Sequence, residues 1–138
     1  MKIILTTGIY PPQVGGPAYY AVNLKNTLEE QGVEVVVLIY NFENKLPPGI
    51  RHIWFGLRLL KNLSGAHSVI TLDTFSVGLP SVFVGSLRKV PVIVRVGGDF
   101  LWEKYVQKRS VAVTLRDFYN TKNKLSLYEK IVFYLTCF

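Results

Sequence analysis

Short apolar runs, rich in β-branched residues, recur along this chain and alternate with segments of helical spacing. Such runs are typical of strands that are buried on both faces, because a strand with one wet face alternates apolar and polar residues. Strands separated by helices form parallel βαβ units, and right-handed crossovers then place helices on both faces of the sheet. The sequence therefore predicts an α/β fold; its predicted strands are Lys2–Thr7, Val33–Tyr40, Ser68–Leu72 and Pro91–Val96.

The segment between the first two strands has the clearest helical signals. Apolar residues recur at helical spacing over about 17–31, Pro17 stands at a favoured first position, and Gly32 supplies a stop. A strand, a helix and a strand in this spacing form the first unit of a Rossmann-like parallel sheet.

The segments after the second predicted strand have weaker helical signals than the first connection. Arg51–Phe55 can form an edge strand ahead of a helix over Leu57–Leu63, and Phe75–Leu87 is predicted as a helix interrupted near Pro80. Residues 101–124 lose their period, so we expect a long loop or a broken helix there.

The last helix is marked by Ser126 and Glu129, whose spacing is that of a capping box. No glycine, proline or polar tail closes the apolar stretch that follows. We therefore expect 138 residues to form one domain of a larger architecture.

The formal net charge of +7 is unevenly distributed. Residues 1–50 hold 3 Lys or Arg against 4 Asp or Glu, whereas residues 51–138 hold 13 against 5. Such a balance suits an anionic partner: a sugar nucleotide, a phospholipid surface or a nucleic acid. The short apolar start makes a poor signal peptide and Cys137 is the single cysteine, so we expect a cytoplasmic protein.

In a doubly wound sheet, ligands bind outside the carboxyl ends of the strands. The loop after the first strand contains Gly15 and Gly16 just before Pro17, and glycines without a Cβ let a ligand approach the free amides at a helix start. The spacing is neither G-x-G-x-x-G nor a P-loop. A plain strand-to-helix turn explains the same residues.

The wider run Thr6-Thr-Gly-Ile-Tyr-Pro-Pro-Gln-Val-Gly-Gly-Pro-Ala18 narrows these alternatives. With Gly32-Val-Glu-Val35 and Val94-Arg-Val-Gly-Gly-Asp-Phe-Leu-Trp-Glu103, it resembles the amino-terminal domain of family 4 glycosyltransferases, which are retaining enzymes of GT-B fold. The resemblance covers nearly the whole chain and implies that it is the acceptor-side domain, 1–138, with the carboxyl-terminal donor-binding domain absent.

The resemblance also implies roles for individual residues. Gly15 and Gly16 would contact the donor diphosphate, and Pro17 would set the helix start. Asp99, in a loop where many members have a histidine, would be the catalytic residue that faces the transferred sugar or the acceptor. Asp99 also suits a helix cap or an Asx turn.

Four further residues are candidates for substrate binding. Arg95 supplies a cation near Asp99, and Gly98 lies in the same Gly-Gly-Asp loop. Trp102 and Glu103 could contact a sugar or a lipid-linked acceptor, although aromatic residues at this spacing also serve as packing. His52 and His67 have no partners at metal spacing, so we expect no metal and no cofactor besides the nucleotide-sugar substrate.

Polar residues also follow the third predicted strand on the same sheet edge. Asp73, Thr74 and Ser76 lie there, and a turn or helix cap is their favoured role.

Three functions remain open at this point. The first is a domain of a glycosyltransferase that transfers a sugar from a nucleotide donor to a saccharide or lipid-linked acceptor at the inner face of the plasma membrane, inactive alone. The second is a non-catalytic or split-enzyme subunit that needs a partner chain. The third is a basic nucleic-acid-binding module. Its cations, which also suit an anionic membrane surface, are Arg88, Lys89, Lys104, Lys108, Arg109, Arg116, Lys122 and Lys124.

Overall fold

The computed structural model describes residues 1–47, 49–98, 100–109, 112–120 and 126–136. The chain divides into two compact units, Met1–Gly97 and Gly98–Phe138. The catalytic candidate Asp99 lies outside the described residues. The prediction of one amino-terminal domain over 1–138 stays a prediction.

The first unit is an α/β sandwich, as the alternation of apolar runs predicts. Its strands are β1 (Lys2–Thr7), β2 (Glu34–Ile39), β3 (Ser68–Thr71) and β4 (Val92–Val94). Its helices are α1 (Gly16–Glu30), α2 (Ile50–Asn62) and α3 (Gly78–Arg88), with a short 3-10 helix at Phe42–Lys45.

The four strands form one parallel sheet in the order β2-β1-β3-β4. β1 pairs with β2 from Lys2 opposite Glu34, and with β3 from Ile3 opposite Ser68. The chain leaves β1 in one direction and returns past it to β3 in the other. The carboxyl ends of β1 and β3 therefore form the switch point at which sheets of this kind bind ligands.

Two apolar layers cover the two faces of this sheet. Alternation along β1 sends Ile4 to the side of α2 and α3, where it joins Phe55, Leu59 and Val84. Ile3 and Leu5 point to the other side, where Ala21 of α1 packs on them. Helices on both faces confirm the predicted Rossmann-like architecture.

The helix α2 corrects one prediction. Arg51–Phe55, predicted as an edge strand, belongs to the first half of α2. Phe55 and Leu59 are four residues apart and fully buried, so the packing of one helical face on the sheet decides the conformation. Five residues are too few to distinguish the helical period of about 3.6 residues from the strand period of 2, so the sequence alone did not identify this segment as helical.

The helix α3 corrects a second prediction, because Pro80 does not interrupt it. The helix begins at Gly78, so Pro80 lies in the first turn, where a backbone N–H has no partner within the helix. Gly85, further along, packs against β4: a Cβ at this position would lie 2.9 Å from the carbonyl oxygen of Val90.

An ion pair between a buried carboxylate and a partly exposed arginine anchors the segment after β2. Glu43, in the 3-10 helix, is fully buried, and Arg58 of α2 donates to its carboxylate. The backbone N–H of Asn41 donates to the same carboxylate at 3.1 Å. These bonds hold the irregular segment against α2, and because a lone buried carboxylate is costly, the two side chains depend on each other.

The second unit is helical, with α4 (Phe100–Arg109), α5 (Leu115–Asn120) and α6 (Leu127–Thr136). Two helices therefore occupy much of the segment predicted as a loop or broken helix. The ring centroid of Phe118 in α5 lies 5.1 Å from that of Tyr105 in α4. This aromatic contact packs the two helices together, and the spacing of apolar residues in the sequence did not indicate it.

The capping box at the start of α6 is confirmed. The Ser126 N–H donates to the Glu129 carboxylate at 2.7 Å, and the Glu129 N–H donates to the Ser126 hydroxyl at 3.3 Å. Within the described ranges, no helix is both long enough and apolar enough to cross a membrane.

We predict that Gly85→Ala lowers the free energy of unfolding by about 1–3 kcal/mol, because the new methyl group would overlap the backbone before β4. Urea denaturation measures the change. Ser86→Ala, at the exposed next position, is the control and should stay within about 0.5 kcal/mol of the wild type. Equal stability of the two variants would show that β4 is not packed closely on α3.

Candidate anion-binding site at the sheet edge

The loop from β1 to α1 runs along the carboxyl edge of the sheet. At its start, the Thr7 hydroxyl donates to the carbonyl oxygen of Ile9 at 2.8 Å. The Gln13 N–H then donates to the carbonyl oxygen of Tyr10 at 3.1 Å, which closes a turn. These two hydrogen bonds within the loop fix its conformation before α1 begins.

The two glycines at the start of α1 differ in their surroundings. Gly15 is the N-cap, and a Cβ there would lie 3.1 Å from the Cδ1 atom of Ile9, so this position has little room. At Gly16, a Cβ would meet no atom of the described residues within 4 Å. Gly16 therefore faces open space, and its lack of a side chain is not explained by packing.

The N-cap residue, Gly15, has no side chain with which to cap the amino terminus of α1. Pro17 has no N–H, whereas the N–H groups of Gly16 and Ala18 belong to the first turn, where helical partners are lacking. The partial positive charge of a helix amino terminus adds to these donors. The predicted helix start is confirmed, and its chemistry suits an anion.

Arg95 follows β4 and brings a full positive charge to the same helix. The backbone N–H of Arg95 donates to the carbonyl oxygen of Thr71 at 2.8 Å. The guanidinium carbon of the same residue lies 3.8 Å from the ring centroid of Tyr20 in α1. Stacking on an aromatic ring holds a guanidinium in place. Its N–H groups point outward in the plane of the guanidinium and can still donate to a ligand. Tyr20 lies four residues after Gly16, which is about one helical turn.

Gly97 gives this guanidinium its space. A Cβ at Gly97 would lie 2.7 Å from the Nη1 atom of Arg95, so a larger residue would displace the side chain. The absence of a side chain at Gly97 therefore allows the Arg95 guanidinium to take its position. The sequence alone did not indicate a role for Gly97 or Tyr20. The only local signal for Tyr20 was the aromatic pair Tyr19-Tyr20, one turn into α1.

Asp73 lies at the same edge, in the loop after β3. Its Oδ1 atom accepts a hydrogen bond from the N–H of Val77 at 3.1 Å, in agreement with its predicted turn role; the N-cap of α3 is Val77 itself. Burial raises the pKa of this carboxyl above its ordinary value, although the backbone N–H groups of Val77, Gly78, Phe75 and Ser76 favour the charged form. A Cβ at Gly8 would lie 3.1 Å from the Oδ2 atom, so the loops after β1 and β3 meet there.

The remaining predicted site residues that the structure describes belong to the second unit. The Trp102 indole N–H donates to the carbonyl oxygen of Val113 at 2.8 Å, a bond that ties α4 to the segment before α5. The Glu103 carboxylate, in the first turn of α4, lies beside Gly98 and leaves no room for a side chain there. Both side chains thus have local structural roles, and their substrate-binding roles stay predictions.

Metal ligation has no visible site in the part of the chain that the structure describes, where no group of three or more His, Cys, Asp or Glu residues comes together. His52 lies edge-on to Phe75, with ring centroids 4.9 Å apart, and burial lowers its pKa. This histidine is a packing residue of α2.

No model of a protein family matches the chain, and no curated protein matches it either. A functional assignment therefore depends on the geometry of the sheet edge and on the sequence motifs.

We predict that Asp73→Asn changes how stability varies with pH. Because the folded state raises the pKa of Asp73, the folded state binds its proton more tightly, and the resulting stability is lost as pH rises through the folded pKa. Asparagine keeps the Oδ1 acceptor and removes this titration. Urea denaturation from about pH 4 to neutral pH should show the wild type losing stability relative to the variant.

Glu30→Gln, which removes an exposed carboxyl from α1, is the matched control for the lost charge. A wild-type profile parallel to that of Asp73→Asn would contradict the predicted effect of burial.

Proposed function

We propose that this chain is the amino-terminal, acceptor-side domain of a retaining GT-B glycosyltransferase. The enzyme would transfer a sugar from a nucleotide-sugar donor to a saccharide or lipid-linked acceptor. The sheet edge described above would contact the donor's diphosphate.

The observation that carries the proposal is the stacking of Arg95 on Tyr20, beside the uncapped start of α1. A helix amino terminus alone attracts anions weakly, but a guanidinium beside it adds a full charge and a planar set of donors. Gly16 leaves open space in front of the same turn. A diphosphate has the charge and the acceptor oxygens that such a set of donors would bind.

The proposed role of these groups is electrostatic and positional. Negative charge grows on the leaving diphosphate as the bond to the sugar breaks, and donors already in place stabilise this charge without reorganising. Asp99 remains the proposed catalytic residue that faces the sugar or the acceptor. The resemblance assigns most of the nucleotide-sugar pocket to a second domain, so we expect these 138 residues alone to be inactive and to bind donors weakly, with a dissociation constant of about 1 mM.

The two glycines provide a direct test of the proposed phosphate contact. Gly16→Ala should fold normally, with stability unchanged or raised by about 0.5 kcal/mol, because its methyl group meets no atom and alanine favours helix. The same methyl group would occupy the space proposed for the phosphate. We therefore expect Gly16→Ala to lose the binding of UDP and GDP in ligand-observed NMR titrations.

Ser86→Ala is the control for a methyl-sized change on a helix away from this edge. If Gly16→Ala is folded and binds both nucleotides like the wild type, the proposed phosphate contact at α1 is wrong.

Arg95→Gln tests the cation. Loss of one charge-assisted interaction of about 1.5–3 kcal/mol weakens binding by at least tenfold, which takes millimolar binding below detection. Arg88→Gln, which removes an exposed positive charge from the end of α3, is the matched control and should bind UDP and GDP like the wild type. Equal binding by the two variants would contradict the role of Arg95.

A further inference from the structure

The outward faces of α2 and α3 carry large apolar side chains in contact with water. On α2, Ile53 is 67% exposed and Leu57 is 48% exposed, one helical turn apart. On α3, Phe83 is 71% exposed and Leu87 is 65% exposed, with the same spacing. We call these four residues the α2–α3 patch.

Between the two helices, the patch lines a groove of about 400 Å³ whose walls are almost wholly apolar. The groove lies on the sheet face that carries α2 and α3, whereas α1 packs on the opposite face. Patches of this kind on a folded protein mark surfaces that contact another phase or another molecule.

The segment that carries the patch is basic. Residues 44–98 contain seven Lys or Arg and a single acidic residue, Asp73, which is half-buried in the loop after β3. Both α2 and α3 cross between parallel strands, so they run in the same direction and end at the same end of the groove. Lys61, Arg88 and Lys89 are exposed at that end.

We propose that the α2–α3 patch binds the surface of an anionic lipid bilayer. The four apolar side chains would enter the boundary between headgroups and acyl chains, and Lys61, Arg88 and Lys89 would lie against lipid phosphates. A helix with apolar and aromatic residues on one face, basic residues and no acidic ones is typical of such surfaces, and α2 has this composition, with Trp54 exposed at its flank.

Charge and shape favour a bilayer over other occupants. A second copy of this chain would bring its own α2–α3 cations to the same interface. Between Asn44 and Gly98 the sequence has one carboxylate to pair with them, that of Asp73, which is half-buried and bonded to the Val77 N–H. The apolar side chains project from both helices, as insertion into lipid requires, and a bilayer supplies negative charge along the whole face.

The test is co-sedimentation of the full chain with vesicles of phosphatidylcholine alone and with equimolar phosphatidylcholine and phosphatidylglycerol. We expect binding to the anionic vesicles, weakened by added salt, and little binding to the neutral ones. Phe83→Ser should lower the partition coefficient about tenfold. The double variant Lys61→Gln/Arg88→Gln should lower it about 30-fold.

Matched controls are Tyr19→Ser, which removes an exposed aromatic ring from α1, and Lys130→Gln, which removes an exposed charge from α6. Both should bind like the wild type. Circular dichroism and urea denaturation establish that every variant is folded, as their exposed positions lead us to expect.

Three outcomes would overturn the proposal: no binding of the wild type to anionic vesicles, equal binding by Phe83→Ser, or self-association of the wild type that Phe83→Ser abolishes. The third would assign the patch to a second copy, and capture of an acidic protein without lipid binding would assign it to a protein partner. None of these results bears on the proposed phosphate contact, because the measurement contains no nucleotide.

Discussion

The pairing of β1 with β2 on one side and with β3 on the other is the constraint on which the first unit depends. It gives β1 two neighbours and two covered faces, and Ile4 and Leu5 are fully buried. Parallel pairing also brings the carboxyl ends of all four strands to one edge. The loops that follow β1, β3 and β4 therefore come together although they are far apart in sequence.

At this edge, glycines determine which side chains can approach one another. Gly15 admits Ile9, Gly8 lies against Asp73, and Gly97 leaves room for Arg95. Gly16 differs, since no atom of the described residues would lie within 4 Å of a Cβ there. The guanidinium of Arg95 and the start of α1 thus form a positively charged edge with an open position. The α2–α3 patch has the opposite character: it is apolar and lies on the sheet face opposite α1.

Local sequence signals predicted much of this arrangement. All four strands, the extent of α1, the turn at Gly32 and the capping box at Ser126 were predictable because each depends on residues within a few positions of one another. Arg51–Phe55 and Pro80 were predicted wrongly, because five residues do not distinguish the two periods and because a proline in the first helical turn costs no hydrogen bond. For residues 101–124 a long loop and a broken helix were both left open, and the helices α4 and α5 agree with the second. The sequence did not decide between them, since the aromatic contact between Tyr105 and Phe118 joins separate segments.

By itself, the sequence determined the α/β class, the order of elements and the glycine turn before α1, because periodicity and backbone freedom are local properties. Tertiary structure decided which side chains meet. The stacking of Arg95 on Tyr20, the pairing of Arg58 with buried Glu43 and the α2–α3 patch all join residues from different elements. Sheet order and helix packing bring these residues together, and neither the spacing nor the composition of a single segment contains that information.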